Sequence, residues 1–281
     1  MKYSNTLTDK EVKSFEPSEK IGIAATVDDQ GRPHITLLTS MQAAGSKKMI
    51  IGEFFKGKSK KYMQLRPDIA FAIITSDKKI RFGRAKWTHL LKEGPEYKAY
   101  NMQPMFRYNT YFGINTVHYL DLIEISTPEF LPVGKIVKSA ILTKIVKRRA
   151  AKHSNTRILK PFAENLFNSF KTFKFISYIN DKGFLKIIPI FQCQAADNSC
   201  LAFHPGVYLK ELSKIKPGQE VAIFCLSMQM ESVLIKSKFN GIKKYMGVKL
   251  GTADIDFVYN SMIPTPGQIY PFKELKPVID Y

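Results

Sequence analysis

The chain matches itself at a fixed spacing of 152 residues, and this repeat limits what it can fold into more than any other feature. Thr26-Val27-Asp28-Asp29-Gln30-Gly31 is answered by Tyr178-Ile179-Asn180-Asp181-Lys182-Gly183. The same shift, without a gap, sets Met41-Gln42-Ala43-Ala44-Gly45 against Cys193-Gln194-Ala195-Ala196-Asp197. It also sets Asp68-Ile69-Ala70-Phe71-Ala72 against Glu220-Val221-Ala222-Ile223-Phe224. One register held across three separated blocks predicts two copies of one folding unit. A chain of 281 residues is long enough to bury a core in each.

Each copy reads as strands. Residues 21–27 are apolar and partly β-branched, and end in the polar turn Asp28-Asp29-Gln30-Gly31. Glycine at its last position suits a backbone that takes positive φ. Residues 33–39 form the hairpin partner, Ala44-Gly45-Ser46-Lys47 the next turn, and residues 49–54 a third strand. A short helix follows, with Ser59 as N-cap, Tyr62 and Leu65 on one face and Pro67 as its stop. Residues 69–74, 80–88 and 116–125 complete the copy. The second copy follows the same plan over residues 173–179, 184–192, 200–203, 221–226 and 232–238, with residues 208–213 in place of the helix. Hairpin-linked strands with one short helix describe a small, mainly antiparallel barrel or sandwich. Residues 144–156, rich in Lys and Arg, read as a basic linker or an exposed helix.

Charge is the second constraint. Lys and Arg number 43 against 24 Asp and Glu, a net +19 that favours anionic partners. The cations fall in several short groups rather than one stripe, so most are expected to be a solvated surface. Nucleic-acid binding is motivated by net charge alone and is not favoured. The N-terminus is polar and no apolar run is long enough to span a bilayer, so a cytoplasmic chain without a membrane partner is expected. Cys193, Cys200 and Cys225 lie in apolar stretches without a CxxC, which reads as buried free thiols. The five histidines are scattered and suggest no metal site.

The stretch from Gly52 through Glu53, Phe54 and Gly57 to Lys58-Ser59-Lys60-Lys61 carries a strand into a helix start surrounded by cations. Free N–H groups at such a start favour an anion, by about 0.3–1 kcal/mol. Lysines add point charges and Ser59 a hydroxyl. The spacing is not that of a Walker loop. The shift of 152 lands Lys58-Ser59-Lys60-Lys61 on Lys210-Glu211-Leu212-Ser213, which has lost most of the charge. That asymmetry points to a phosphate site in the first copy only. No residue stands out as catalytic. Trp87 reads as a packed aromatic. Tyr97, Tyr100, Phe106, Tyr108, Tyr111 and Phe112 read as a loop over a barrel mouth or a dimer contact.

These residues resemble those of the pyridoxamine 5'-phosphate oxidase-like proteins. The likeness lies in Ile23-Ala24-Ala25-Thr26-Val27-Asp28-Asp29-Gln30-Gly31-Arg32-Pro33-His34, Met49-Ile50-Ile51-Gly52-Glu53-Phe54, Lys58-Ser59-Lys60-Lys61, Leu65-Arg66-Pro67-Asp68-Ile69-Ala70 and Phe82-Gly83-Arg84-Ala85. Val258-Tyr259-Asn260-Ser261-Met262-Ile263-Pro264 resembles the ending of a tandem subgroup. The resemblance implies a mainly β chain of two tandem split β-barrels of the FMN-binding type. The first would span 1–138 and hold the flavin phosphate; 139–160 would be a basic linker and 161–281 a degenerate second barrel. It implies that Thr36, Leu37, Leu38 and Thr39 lie along the flavin, with Gly52, Glu53 and Phe54 nearby and Lys58, Ser59, Lys60 and Lys61 on the phosphate. The oxidase's arginine near Thr36 and its Ser-Arg-Lys run are altered here, which separates the expected chemistry from pyridoxamine phosphate oxidation. The implied function is that of an FMN-dependent oxidoreductase with a small-molecule substrate or electron donor, working as a homodimer. The alternative is a non-catalytic binding protein for flavin, haem or a deazaflavin.

Overall fold

The computed structural model describes residues 2–15, 20–53, 57–104, 113–152, 154, 156–261 and 266–276. The chain falls into two compact units, Met1–Gln30 with Leu37–Leu131, and Gly31–Thr36 with Pro132–Asp280. It is mainly β, with few and short helices.

The first sheet contains β1 (Tyr3–Ser4), β2 (Lys20–Val27), β3 (Pro33–Leu37), β4 (Met41–Ala43) and β5 (Lys48–Glu53). It continues with β6 (Asp68–Thr75), β7 (Lys79–Leu91), β8 (Thr116–Ser126) and β9 (Glu129–Phe130). Its main path runs β3-β2-β6-β7-β8-β5-β4. Among the described residues, three helices accompany it: α1 (Asp9–Lys13), α2 (Lys58–Leu65) and α3 (Pro95–Met102). The second unit opens with α4 (Val133–Val146) and α5 (Pro161–Asn168), then β10 (Phe173–Ile179), β11 (Leu185–Pro189), β12 (Gln194–Ala195) and β13 (Cys200–Phe203). After α6 (Leu209–Leu212) come β14 (Glu220–Leu226), β15 (Ser232–Tyr245), β16 (Val248–Asn260) and β17 (Gly267–Tyr270). Its path, β11-β10-β14-β15-β16-β13-β12, repeats the strand order of the first.

The shift of 152 carries the bounds of β3 onto those of β11, and the start of β6 onto that of β14. The two hairpin glycines, Gly31 and Gly183, share φ of +79°, a left-handed backbone that glycine adopts without strain. Along the shared path, β8 and its counterpart β16 depart from the shift. Lys48 faces Asp121 and Cys200 faces Asp254, so the spacing is 152 on one side and 133 on the other. The reason is the connection: β15 and β16 meet in a tight turn at Met246 and Gly247, both at positive φ, whereas α3 intervenes between β7 and β8.

Each unit has its own core. In the first, Phe15, Met41, Met63, Phe71 and Leu120 are buried together against one face of the sheet. A smaller cluster of Ile50, Tyr100, Ile114, Val117 and Tyr119 packs with Tyr97 of α3. Tyr97 and Tyr100 are therefore helical and packed, not part of an open loop; Phe106, Tyr108, Tyr111 and Phe112 lie outside the described residues. The second core gathers Phe167, Phe203, Leu212, Ile223 and Phe239. Its three cysteines are buried and free. Burial pushes the Cys225 thiol up to about 11 and that of Cys200 up to about 12, which leaves both unreactive.

Two details of the sequence reading change. The strand after the turn at residues 44–47 is β5 rather than the third, because β1 and the short β4 precede it. The N-cap of α2 is Gly57, in extended backbone, and Ser59 sits inside the first turn, buried. The stretch from 139 to 160 contains most of α4 and a 3₁₀ turn, Lys147–Ala150.

Lys20 gives a test of this packing. It is buried, its Nζ donates to the Phe15 carbonyl at 2.7 Å, and burial pushes its pKa down from 10.5 to about 8. Between those values the unfolded chain holds a proton that the folded chain has released. Stability therefore rises with pH across that window. Lys20→Met removes the titration. From pH 8 to 10.5 the melting-temperature difference should move in favour of the wild type, by about 2–4 °C for each kcal/mol. Parallel curves for the two proteins would contradict this account.

Candidate functional site

The end of β5 and the start of α2 build the site. β5 delivers Glu53 at its last position, paired in register with Thr116 of β8. The helix then begins at Lys58, and its cap, Gly57, has no side chain to satisfy the first N–H groups. On its inner face Met63 is fully buried and Tyr62 nearly so, which anchors the helix and fixes where its lysines point.

A cavity of about 710 Å³ opens at this junction. Its lining includes Glu53, Gly57, Lys58, Lys60, Lys61 and Gln64 on one side, with Leu90, Lys92, Asn115 and Thr116 on the other. The volume suits a cofactor-sized ligand. Lys60 is the unusual member. Only 8% of it is exposed, and burial holds its pKa below the usual lysine value, against the opposing pull of the Glu53 carboxylate.

Glu53 is itself held. His118, fully buried on β8, places Nε2 3.0 Å from Glu53 Oε2, while its Nδ1 accepts from Trp87 Nε1 at 3.1 Å. An indole N–H only donates, so Nδ1 must accept and the proton resides on Nε2, which donates to the carboxylate. Trp87 is thus a packed aromatic that orients a histidine, which in turn orients Glu53.

Of the residues expected from the sequence, Glu53, Lys58, Lys60 and Lys61 meet around the cavity. Ser59 is buried beneath the lysines. Gly52 has a packing role: a Cβ there would come within 2.8 Å of the Ile114 side chain, and its carbonyl accepts from Ser40 Oγ at 2.7 Å. Thr36, Leu37, Leu38 and Thr39 are not among the residues that line this cavity, and the Leu38 N–H is taken by the Gly22 carbonyl at 2.7 Å. Phe54 lies outside the described residues. Sequence reading missed Gln64, Leu90, Lys92, Asn115, Thr116 and His118. Four of the six flank the β7–β8 connection, far along the chain from the lysines, and no local pattern links the two.

No family model and no curated protein matches the chain. Solved structures do. An FMN-binding protein from Syntrophomonas wolfei subsp. wolfei is 18% identical, over 39% of this chain and 77% of that one, with a TM-score of 0.33. A pyridoxamine 5'-phosphate oxidase candidate from Lactobacillus delbrueckii is 20% identical, over 45% of this chain and 100% of the other, with a TM-score of 0.35. HutZ, a haem storage protein from Vibrio cholerae, is 12% identical, over 43% and 95%, with a TM-score of 0.32.

The lining chemistry suits a phosphate. Four lysines face the cavity, with an uncapped helix start beside them. No His, Cys or Met side chain is among its described lining residues, and both ring nitrogens of His118 are engaged. Among the described residues, no helix is long and apolar enough to cross a membrane.

Proposed function

We propose that the first unit holds flavin mononucleotide by its phosphate at the start of α2, in an oxidoreductase of the pyridoxamine 5'-phosphate oxidase-like kind. The observation that carries this reading is Lys60. Its counterpart under the 152 shift is Leu212, a fully buried core residue of the second unit. The position is thus built for an apolar side chain, and burying a lysine there costs stability unless its charge is used. In the first unit it lines a cavity beside Lys58 and Lys61.

In this reading Lys58, Lys60 and Lys61 balance the phosphate charge and the first N–H groups of α2 donate to its oxygens. Glu53, fixed by His118, keeps Lys60 directed into the cavity. The flavin supplies electron transfer; the chain supplies binding and orientation. The second unit, with Glu211 and Leu212 at the equivalent positions, is read as a copy of the same barrel without this site. The common strand order and shared hairpin geometry support a duplication.

A binding protein without turnover is the second reading. It is favoured by the lining itself, in which the only carboxylate among the described residues, Glu53, is already engaged by His118. Failure of nicotinamide cofactors to bleach the bound flavin would support that reading.

Riboflavin separates phosphate recognition from ring recognition. Quenching of flavin fluorescence should show FMN binding at least about 100-fold tighter than riboflavin, the effect of two charge-assisted contacts. Equal affinities would remove the phosphate site.

A further inference from the structure

Helix α4 is built inside out. Its buried positions include Ser139, Ala140 and Thr143, small or polar, and hydrogen bonds hold them. Thr143 Oγ1 accepts from the His204 N–H at 2.8 Å, Ser139 Oγ lies 3.2 Å from His204 Nδ1, and Gln194 Nε2 donates to the Ala140 carbonyl at 2.9 Å. Val146 is buried with them and Ile136 is half-buried, but four other β-branched apolar residues face outward. Val133, Val137, Ile141 and Ile145 recur at i, i+4, i+8 and i+12, each between 51% and 69% exposed. A surface helix ordinarily buries such a stripe. Scattered exposed apolar residues need no explanation, but a contiguous stripe along a whole helix marks a docking face.

A further exposed apolar side chain meets one of the helix's cations: Phe170 is 54% exposed, and Lys144 Nζ lies 5.7 Å from its ring centroid. Around the helix at about 100° per residue, Lys138 and Lys144 fall on either side of the stripe. Both are exposed, as are Lys135, Arg148 and Arg149. From Phe130 through Ala163 the sequence has nine Lys and Arg and no Asp or Glu. Lys152 and Arg157 are occupied by Asp254 and Glu164, but the cations around the stripe have no acidic neighbour in this tract.

That charge distribution selects the occupant. A second copy of the chain would bring the same cations against themselves, in a protein already at +19. A negatively charged lipid surface meets both requirements at once. Apolar side chains enter the acyl boundary while lysines and arginines meet the headgroups, at about 1 kcal/mol for each cation near the surface. At 14 residues α4 extends about 21 Å, too short to span a bilayer, so it would lie in the interface plane. We propose that the exposed Val/Ile face of α4 docks this chain on an anionic phospholipid surface. The inference is independent of the flavin reading, because no α4 residue lines the cavity of the first unit.

Flotation of the full chain with phosphatidylcholine vesicles, with and without phosphatidylserine, tests it. The protein should float with the anionic vesicles and not with the neutral ones, and raised salt should weaken it. The combined Val137→Gln, Ile141→Gln and Ile145→Gln variant keeps every charge and should lose about 10–100-fold in vesicle affinity. Lys138→Gln with Lys144→Gln should lose less, and its residual binding should depend less on salt. All of these positions are exposed, and an unchanged melting temperature checks the fold. No flotation of the wild type with anionic vesicles would overturn the proposal. So would an apolar variant that floats as the wild type does, which would mean adsorption by net charge anywhere on the surface. Unchanged flotation with a smaller mass by light scattering would assign the stripe to self-association instead.

Discussion

Lys60→Leu is expected to produce a folded protein that no longer retains FMN. The substitution copies Leu212 of the second unit, where a leucine at the corresponding position is fully buried. In the wild type, the ammonium is withdrawn from water and burial depresses its pKa, so the folded state bears a desolvation cost that leucine does not. Relief of that cost is opposed by loss of the attraction to the buried Glu53 carboxylate, so stability should change by less than about 2 kcal/mol. The same change removes a charge-assisted contact worth about 1.5–3 kcal/mol, and so lowers FMN affinity about 10–100-fold or more. Riboflavin affinity should not change. Thermal melts of the ligand-free proteins and flavin titrations read the two effects separately. A variant that loses stability and keeps FMN would show that Lys60 is a structural residue. Because Lys60 must be protonated to hold a phosphate, FMN affinity should also fall as pH rises through its lowered pKa. Lys60→Leu should abolish that dependence.

Phe71→Ala should be the most destabilising single change in the first unit. Phe71 is 1% exposed and faces Gly83 directly across the β6–β7 ladder. A Cβ at Gly83 would lie 2.2 Å from the end of the Phe71 ring, so the ring rests on the glycine backbone itself. Loss of a core phenylalanine costs about 3–5 kcal/mol, on the order of 10 °C in a unit of this size. Gly83→Ala should also destabilise, because the ring must leave its place. The two changes are coupled. In the Phe71→Ala background the space above Gly83 is open, and Gly83→Ala should then cost far less than it does alone. Strictly additive effects would mean that the ring and the glycine do not constrain each other. The second unit uses the same device, with Phe203 over Gly251 across the β13–β16 ladder.

Much of this architecture was legible because it depends on local signals. The Asp28-Asp29-Gln30-Gly31 turn and its counterpart ending at Gly183 identify the hairpins, and the 152 shift sets their order. Lys58, Lys60 and Lys61 could be assigned to one site because a strand leads directly into their helix. The rest depends on partners distant in sequence. Ser59 has the chemistry of a cap but is drawn inward, leaving Gly57 to begin the helix. Lys92, Asn115 and Thr116 reach the cavity only because β7 and β8 return to β5. His118 sits in an apolar strand without any signature, and its role becomes visible only through Trp87 and Glu53. The end of α4 falls within a stretch that reads as a basic tether because Lys144, Lys147, Arg148 and Arg149 crowd it. The i, i+4 apolar repeat of Val133, Val137, Ile141 and Ile145 is present in the sequence, but a repeat does not say whether its face is buried or exposed.

A visible absorption spectrum of the purified chain, repeated on the supernatant after heat denaturation, tests the central claim most directly. The account predicts a yellow protein that releases free FMN on heating and takes it up again when refolded protein is supplied with it. A Soret band in place of the flavin spectrum, or a colourless protein that fails to take up added FMN, would contradict it.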